Sequence, residues 1–445
     1  MTETAVMQNA VMRKLSVRLL PVLVAGYLIA ILDRANLGVA ALTMNADLGL
    51  SAAAFGVAAS VFFVPYVLLE VPSNLALQRF GAPLWIARIM ITWGVISGLH
   101  ALVWNAESLY VARALLGAAE AGFFPGVIFF LTQWFPAGHR GKILGGFTAG
   151  IPIALVIGTP LSGLLLNLDG WLGLHGWQWM YIIEALPAVA LGIAVPFLLP
   201  RRIADAKFLT AAEKTWLSET LERERLAREA VAPGKHSLWK SLLSPKVLVF
   251  ALCYYCLTNL NGAVSTFLPQ ILKPFGMSDT ATTFVAAIPY VFGLAGMLLI
   301  GRWADRPGRR SAALYLALAV SVAGLTAAAL IDQPVLKLIA LCLASFGVFG
   351  VLPGFWGLPT ALLAGTAAAG SIALINALGN LSSVVNPAVI GVIKERTGDF
   401  NGGLLWLALM GALAIVVLTV IVRLWGSAER RVTAATVEGN VDAHR

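Results

Sequence analysis

Two pairs of ionisable residues stand where the chain is otherwise apolar. Asp33 and Arg34 are adjacent in Tyr27 to Ala41, YLIAILDRANLGVAA, and the run from Leu19 to Met44 carries no other charge. Arg113 and Glu120 lie in RALLGAAEAGFFPG. At 3.6 residues per turn seven positions return them to one helical face, about 10 Å apart along the axis. A central Asp or Arg in a bilayer costs roughly 2.5 to 3.5 kcal/mol, so all four side chains need protein or water to face. The chemistry on offer is proton exchange by a carboxylate whose surroundings change, and capture of an anion by a guanidinium that matches a carboxylate geometrically. Glu120 has no opposite charge within one turn of its own helix and is the first choice of proton carrier. Asp33, beside Arg34 and within reach of Arg113, is the second. A buried salt-bridge network that only fixes helix packing is the competing reading, and the two are compatible.

The elements that must position these groups are membrane helices. Apolar residues make up 59% of the 445, charged residues 12%, and the mean hydropathy is +0.84. No soluble core of this length could hide so much apolar surface. Strands are excluded because the apolar runs are continuous rather than alternating. The net charge of +9 is explained by loop topology and needs no nucleic-acid partner. Cys253, Cys256 and Cys342 all lie in apolar runs, and no histidine cluster exists, so neither a metal nor a cofactor is expected.

Twelve apolar segments are predicted, at 17–43, 52–77, 83–104, 107–134, 142–167, 177–199, 245–272, 281–301, 311–331, 335–363, 367–393 and 403–425. Arg13, Lys14 and Arg18 precede the first, with no secretory signal, which predicts a cytoplasmic amino terminus. On that orientation 24 of the 31 Lys and Arg residues are cytoplasmic and only Lys273, Lys337, Lys394 and Arg396 lie on outer loops. The expected organisation is an amino-terminal six-helix half (1–199), a cytoplasmic linker (200–244), a carboxy-terminal six-helix half (245–425) and a cytoplasmic tail (426–445). Thr210 and Glu213 have capping-box spacing in the linker, and Trp216, Leu217 and Leu221 share one side of a charged helix. Gly81 and Gly308, and Pro160 and Pro387, are each 227 residues apart, while Pro125-Gly126 and Pro353-Gly354 differ by 228. Those offsets point to duplicated halves related by a pseudo-two-fold axis.

GRWADRPGRR, Gly301 to Arg310, is the most specific local pattern. Gly301 and Gly308 suit a tight hairpin, and Asp305 with Arg306, Arg309 and Arg310 could form a charge cluster against neighbouring helix ends. The pattern resembles the loop signature of the major facilitator superfamily, with a decayed first copy in NLALQRFGAP that has Gln78 at the acidic position. LDRANLGVA, LLEVPSNL, RALLGAAEAGFFPG and GFWGLPTALLAGTAAAGSIALINALGN are similar to the anion:cation symporters within that superfamily. The resemblance implies an all-α major facilitator fold and proton symport of small organic anions such as tartrate-like, aromatic or sugar acids. It implies that Asp33 and Glu120 are protonation sites, that Arg34 and Arg113 organise substrate and proton, and that Tyr66 hydrogen-bonds substrate. Ile31 stands where some members carry a tyrosine.

In the second half Asn259, Asn261, Gln270, Trp356, Thr360, Asn376 and Asn380 are candidates for an opposing wall. Asn376 and Asn380 share a helical face, and uncharged amides suit hydroxyl recognition. Each could instead be an interhelical packing bond. Pro353, Gly354 and Pro359 predict a bend in the tenth segment. Glu70 and Arg88 read as paired or snorkelling groups. Glu184, after Trp177, Trp179 and Tyr181 at the outer interface, reads as structural. The expected protein is a monomeric, multi-pass carrier of the cell inner membrane with both termini cytoplasmic, its partners a small organic anion and the lipid bilayer. A uniporter or antiporter would share the fold, and an integral-membrane enzyme lacks any supporting motif.

Overall fold

The computed structural model describes residues 3–230, 244–306, 308–362 and 368–442. Among them are twelve helical spans: Met7–Asp47, Ala52–Phe80, Ala82–Leu102, Ala106–Trp134, Ala137–Leu168 and Gly176–Leu198, then Pro245–Phe275, Asp279–Ala304, Arg310–Leu330, Pro334–Pro359, Leu374–Thr397 and Asn401–Leu424. They are numbered 1 to 12 below. Polar residues start several of them. Ser51 accepts from the Ala54 N–H ahead of span 2, and Asn105 with Ser108 forms a reciprocal capping box ahead of span 4.

Span 1 begins earlier than expected. Its charged prefix continues the helix because Val11, Leu15 and Leu19, each four residues apart, are buried in the first half's core while Arg13 and Lys14 point away. The helix of span 12 likewise runs on to Asp442.

Spans 1 to 6 and 7 to 12 touch mainly through three pairs: span 1 with 7, span 2 with 11, and span 5 with 8. A shift of six spans exchanges these pairs, as duplicated halves require. The contacts lie at the end of the bundle remote from the linker. Gly56 and Gly391 let spans 2 and 11 close to backbone distance, since a Cβ on Gly391 would meet the Gly56 Cα at 3.1 Å. Ser60 Oγ accepts from the Ala388 N–H at 3.1 Å. Glu395 Oε2 accepts from Ser51 Oγ and the Ala53 N–H, each at 2.7 Å, so a carboxylate of one half caps the first turn of a helix in the other. Thr280 Oγ1 donates to Asn167 Oδ1 at 2.8 Å between spans 8 and 5. This end is sealed.

At the linker end, the helix Ala211–Ala230 docks on the first half. Thr210 and Glu213 form the expected capping box, with the Thr210 N–H 2.8 Å from Glu213 Oε2 and the Glu213 N–H 3.3 Å from Thr210 Oγ1. Lys14 Nζ reaches both Glu213 oxygens at 2.8 and 2.9 Å, Arg140 pairs with Glu224 at 3.0 Å, and Leu217 is fully buried. Burial pushes the Glu213 carboxyl upward, but the Lys14 ammonium and the Thr210 donors outweigh it and hold the group below its ordinary value.

The charge cluster expected in the span 8–9 loop does not form among the described residues. Asp305 is exposed, and its own N–H closes the end of span 8 on Gly301 O at 3.0 Å. Arg306 and Arg309 are also exposed, Gly308 takes φ +70° for the turn, and Arg310 Nη1 donates to Gly357 O at 3.1 Å, where span 10 breaks. Asp305, Arg306 and Arg309 stand exposed on this face, where an ion pair would add little.

Candidate functional site

Glu120 is the last residue of a helix, and the break that follows it is what lets it meet span 1. Gly122 adopts φ +86°, a conformation that favours glycine, and a Cβ there would press on Ser73. Span 4 restarts at Phe123. Glu120 is fully buried, and Arg34 places Nε at 2.8 Å and Nη2 at 2.6 Å from its Oε1. The Arg34 side chain is still 35% exposed, so its outer face lines an opening in the middle of the bundle. The Tyr66 ring lies 4.8 Å from the Arg34 Cζ. Phe62, at a break in span 2, has its ring 5.5 Å from the Cζ of Arg34 and 4.8 Å from that of Arg113. One aromatic face system thus holds both guanidiniums, a contact worth about 0.5–1 kcal/mol for the partly open Arg34 and about 2 kcal/mol for the buried Arg113.

Asp33 points elsewhere. Neighbouring positions on a helix are about 100° apart, so Asp33 turns toward span 3, where the Ser97 hydroxyl donates to its Oδ1. Its Oδ2 is buried without a partner, and it forms no ion pair among the described residues. Arg113 is buried, donates from Nε to Ala58 O at 3.3 Å, and leaves Nη1 without an acceptor. The four charges all lie in the interior of the first half, but only Arg34 and Glu120 are in contact. The expected surroundings are exchanged: Glu120 has the guanidinium partner and Asp33 has a hydroxyl. Chain adjacency suggested the opposite, because it says nothing of partners brought from another helix.

Several members of this polar core were not anticipated. Asn36, three residues after Asp33, is buried with Ser162 of span 5 and Glu184 of span 6. The Ser162 hydroxyl lies 2.7 Å from Glu184 Oε1 and 3.3 Å from Asn36 Oδ1. His100 is fully buried and stacks on Tyr181 at 5.1 Å. Glu184 is therefore no interfacial group. It is a lone carboxyl in an apolar span, the same signal that marks Asp33, and the aromatic residues before it disguised that.

The second half supplies an uncharged wall. The Trp356 and Tyr254 rings meet at 4.7 Å, tilted by 58°, beside the break between Phe355 and Gly357, the position expected for the bend in span 10. Asn376 and Asn380 are half-exposed on span 11, as is Asn261 on span 7. Asn259, expected on that wall, is instead 1% exposed, and its amide turns back on its own helix to donate to Tyr255 O at 3.0 Å rather than facing an opening. Asn386, unforeseen, donates to Asn259 O at 2.9 Å and accepts from Trp406 Nε1 at 3.1 Å. The side chain of Thr360 lies outside the described residues. Among the described residues no group of three His, Cys, Asp or Glu side chains could hold a metal, and the three cysteines are buried singly.

The sequence profile of the Major Facilitator Superfamily matches residues 23–387. A protein of Agrobacterium vitis, provisionally described as a tartrate transporter, is 43% identical over 417 residues, covering 94% of this chain and 92% of its own. A quinolone resistance transporter of Acinetobacter baumannii is 41% identical over 410 residues, covering 92% and 94%. Among solved structures, an inward-facing, occupied bacterial homologue of the human lysosomal transporter Spinster superposes with a TM-score of 0.75 at 14% identity, over 92% of this chain and 97% of that one.

Proposed function

Because this chain belongs to the Major Facilitator Superfamily and is a transporter rather than an enzyme, we propose that it imports a small organic carboxylate together with protons across the bacterial inner membrane. The observation that carries the reading is the Arg34–Glu120 contact. One guanidinium, partly open to the central space, is occupied by a buried carboxylate of the protein itself. A substrate carboxylate would compete with Glu120 for that guanidinium. Protonating Glu120 removes the competitor, so proton and anion favour each other's binding, which is the linkage symport needs. The two guanidiniums on Phe62 set the anionic end of the substrate, and Trp356, Asn376, Asn380 and Asn261 offer polar and aromatic contacts to the remainder. The name of the Agrobacterium relative makes tartrate the first acid to try.

On this reading the linker end is cytoplasmic, where most Lys and Arg residues lie, and the sealed end is periplasmic, so the structure faces inward. The carrier works as a monomer, alternating by rocking its halves about the site. The test is purified protein in liposomes given L-tartrate, sugar acids or aromatic acids while external pH is recorded. Uptake of at least one acid with alkalinisation outside is expected. Uptake of these acids with no proton movement would mean a uniporter or an exchanger instead.

A further inference from the structure

Three buried carboxyls in the first half, Asp33, Glu120 and Glu184, share two guanidiniums, Arg34 and Arg113. Arg34 is spent on Glu120, and Arg113 turns to Ala58 O and the Phe62 ring. Glu184 has the poorest company. It is 6% exposed, its Oε1 accepts from Ser162 at 2.7 Å, and its Oε2 is buried with no partner among the described residues. The groups around it are Asn36 and, one turn before, Asp33 on span 1, Ser162 on span 5, Tyr181 on its own span with His100 stacked behind, and Arg113 on span 4. None makes an ion pair with it. An ionised carboxylate buried with so little compensation is not sustained, whereas a neutral acid needs only the hydroxyl it has.

We infer that Glu184 is a third proton-exchanging carboxyl, neutral in this conformation and ionised when the sealed end opens. The inference rests on the proton-coupled reading for its role in transport, though not for the bound proton itself. What links it to the transport cycle is where its neighbours sit. Ser162 precedes Gly163, whose carbonyl accepts from Thr280 Oγ1 of the other half at 3.2 Å. Asn36 lies two residues before Gly38, where an added Cβ would sit 3.5 Å from the Thr266 Cα of span 7. Ser162, which bonds Glu184, and Asn36, which is bonded to Ser162, are thus each within two positions of the seal between the halves. Parting the seal moves spans 1 and 5, admits water to Glu184, and the O–H proton passes to that water. On resealing the proton is taken back from the same side, so Glu184 titrates with the opening of the seal and carries no net proton across.

The test uses the full chain and needs no substrate at first. Infrared spectra of purified wild type and Glu184→Gln at neutral pH are compared in the carboxylic-acid C=O region. One protonated-acid band is expected to vanish in the variant, and in Glu184→Asp to persist at a shifted frequency. Identical spectra for wild type and Glu184→Gln overturn the inference. Should Glu184→Gln fail to fold, Glu184→Asp decides alone, and an unshifted band overturns it. In liposomes with L-tartrate, Glu184→Gln should keep the wild-type number of protons per tartrate, while its tartrate exchange rate loses the dependence on pH at the sealed end that wild type shows. A rate that keeps that dependence sinks the role in the transport cycle. If wild type moves tartrate with no protons, the symport reading fails, while the infrared result still decides the bound proton.

Discussion

Arg34 rests two of its N–H donors on one oxygen of Glu120, Oε1, and leaves Oε2 buried without a partner. A bidentate pair would engage both oxygens. The one-sided contact keeps a lone pair free for a proton, and a protonated Glu120 would release the guanidinium to a ligand. Glu120→Gln should therefore abolish accumulation driven by a pH gradient while sparing substrate exchange between preloaded liposomes. Accumulation that still follows the gradient in this variant would remove Glu120 as the coupling acid.

Arg34 carries two duties that different substitutions separate. Arg34→Ala strands a buried carboxylate, a change that costs about 3–5 kcal/mol when the acid stays charged. The double variant Arg34→Ala/Glu120→Gln should recover most of that loss, read as thermal stability in detergent. Neither variant should bind the anion well: a lost charged hydrogen bond of roughly 1.5–3 kcal/mol weakens binding about ten- to a hundredfold. Arg34→Lys keeps the charge but loses the planar fork and the stacking on Tyr66, so it should bind weakly too. Wild-type affinity in Arg34→Lys would mean that charge alone suffices there.

The fold was legible because span length, apolar continuity and the excess of Lys and Arg on alternate loops are each fixed by the bilayer. The residues of the candidate site were legible for the same reason, since Asp33, Arg34, Arg113 and Glu120 are expensive in lipid. Their pairing was not. Partner choice depends on breaks at Phe62 and Gly122 that bring spans 2 and 4 against span 1, and glycine in a membrane helix is too common to announce a break. Asn259 shows the converse limit, because an amide on a membrane helix reads the same whether it faces a pathway or turns back on its own helix.

Closure of the sealed end depends on the absence of side chains at Gly56 and Gly391. A Cβ on Gly391 would lie 3.1 Å from the Gly56 Cα and 3.3 Å from the Ala52 carbonyl carbon, and Gly391→Val adds two methyls to that. The variant should favour the conformation in which this end is open. Asn167→Cys and Thr280→Cys, whose native side chains are hydrogen-bonded at 2.8 Å, should cross-link readily in the native background and poorly with Gly391→Val. Equal cross-linking would show that the seal tolerates the bulk.

Docking of the linker helix should depend on pH through Glu213. Its carboxyl lies below its ordinary value in the folded protein, so the unfolded chain binds a proton more readily than the folded one. The stabilising contribution is then complete above the unfolded value, near 4.5, and is lost as pH falls through the lower folded one. The Lys14 side chain is 38% exposed, so solvent screening limits the pair to about 0–1 kcal/mol. Glu213→Gln should lower thermal stability slightly at neutral pH, and the difference from wild type should vanish in acid. Arg140 with Glu224 and the buried Leu217 hold the same helix, so the fold should survive. A stability gap between wild type and Glu213→Gln that is unchanged from neutral pH to well below 4.5 would assign the contact no electrostatic role.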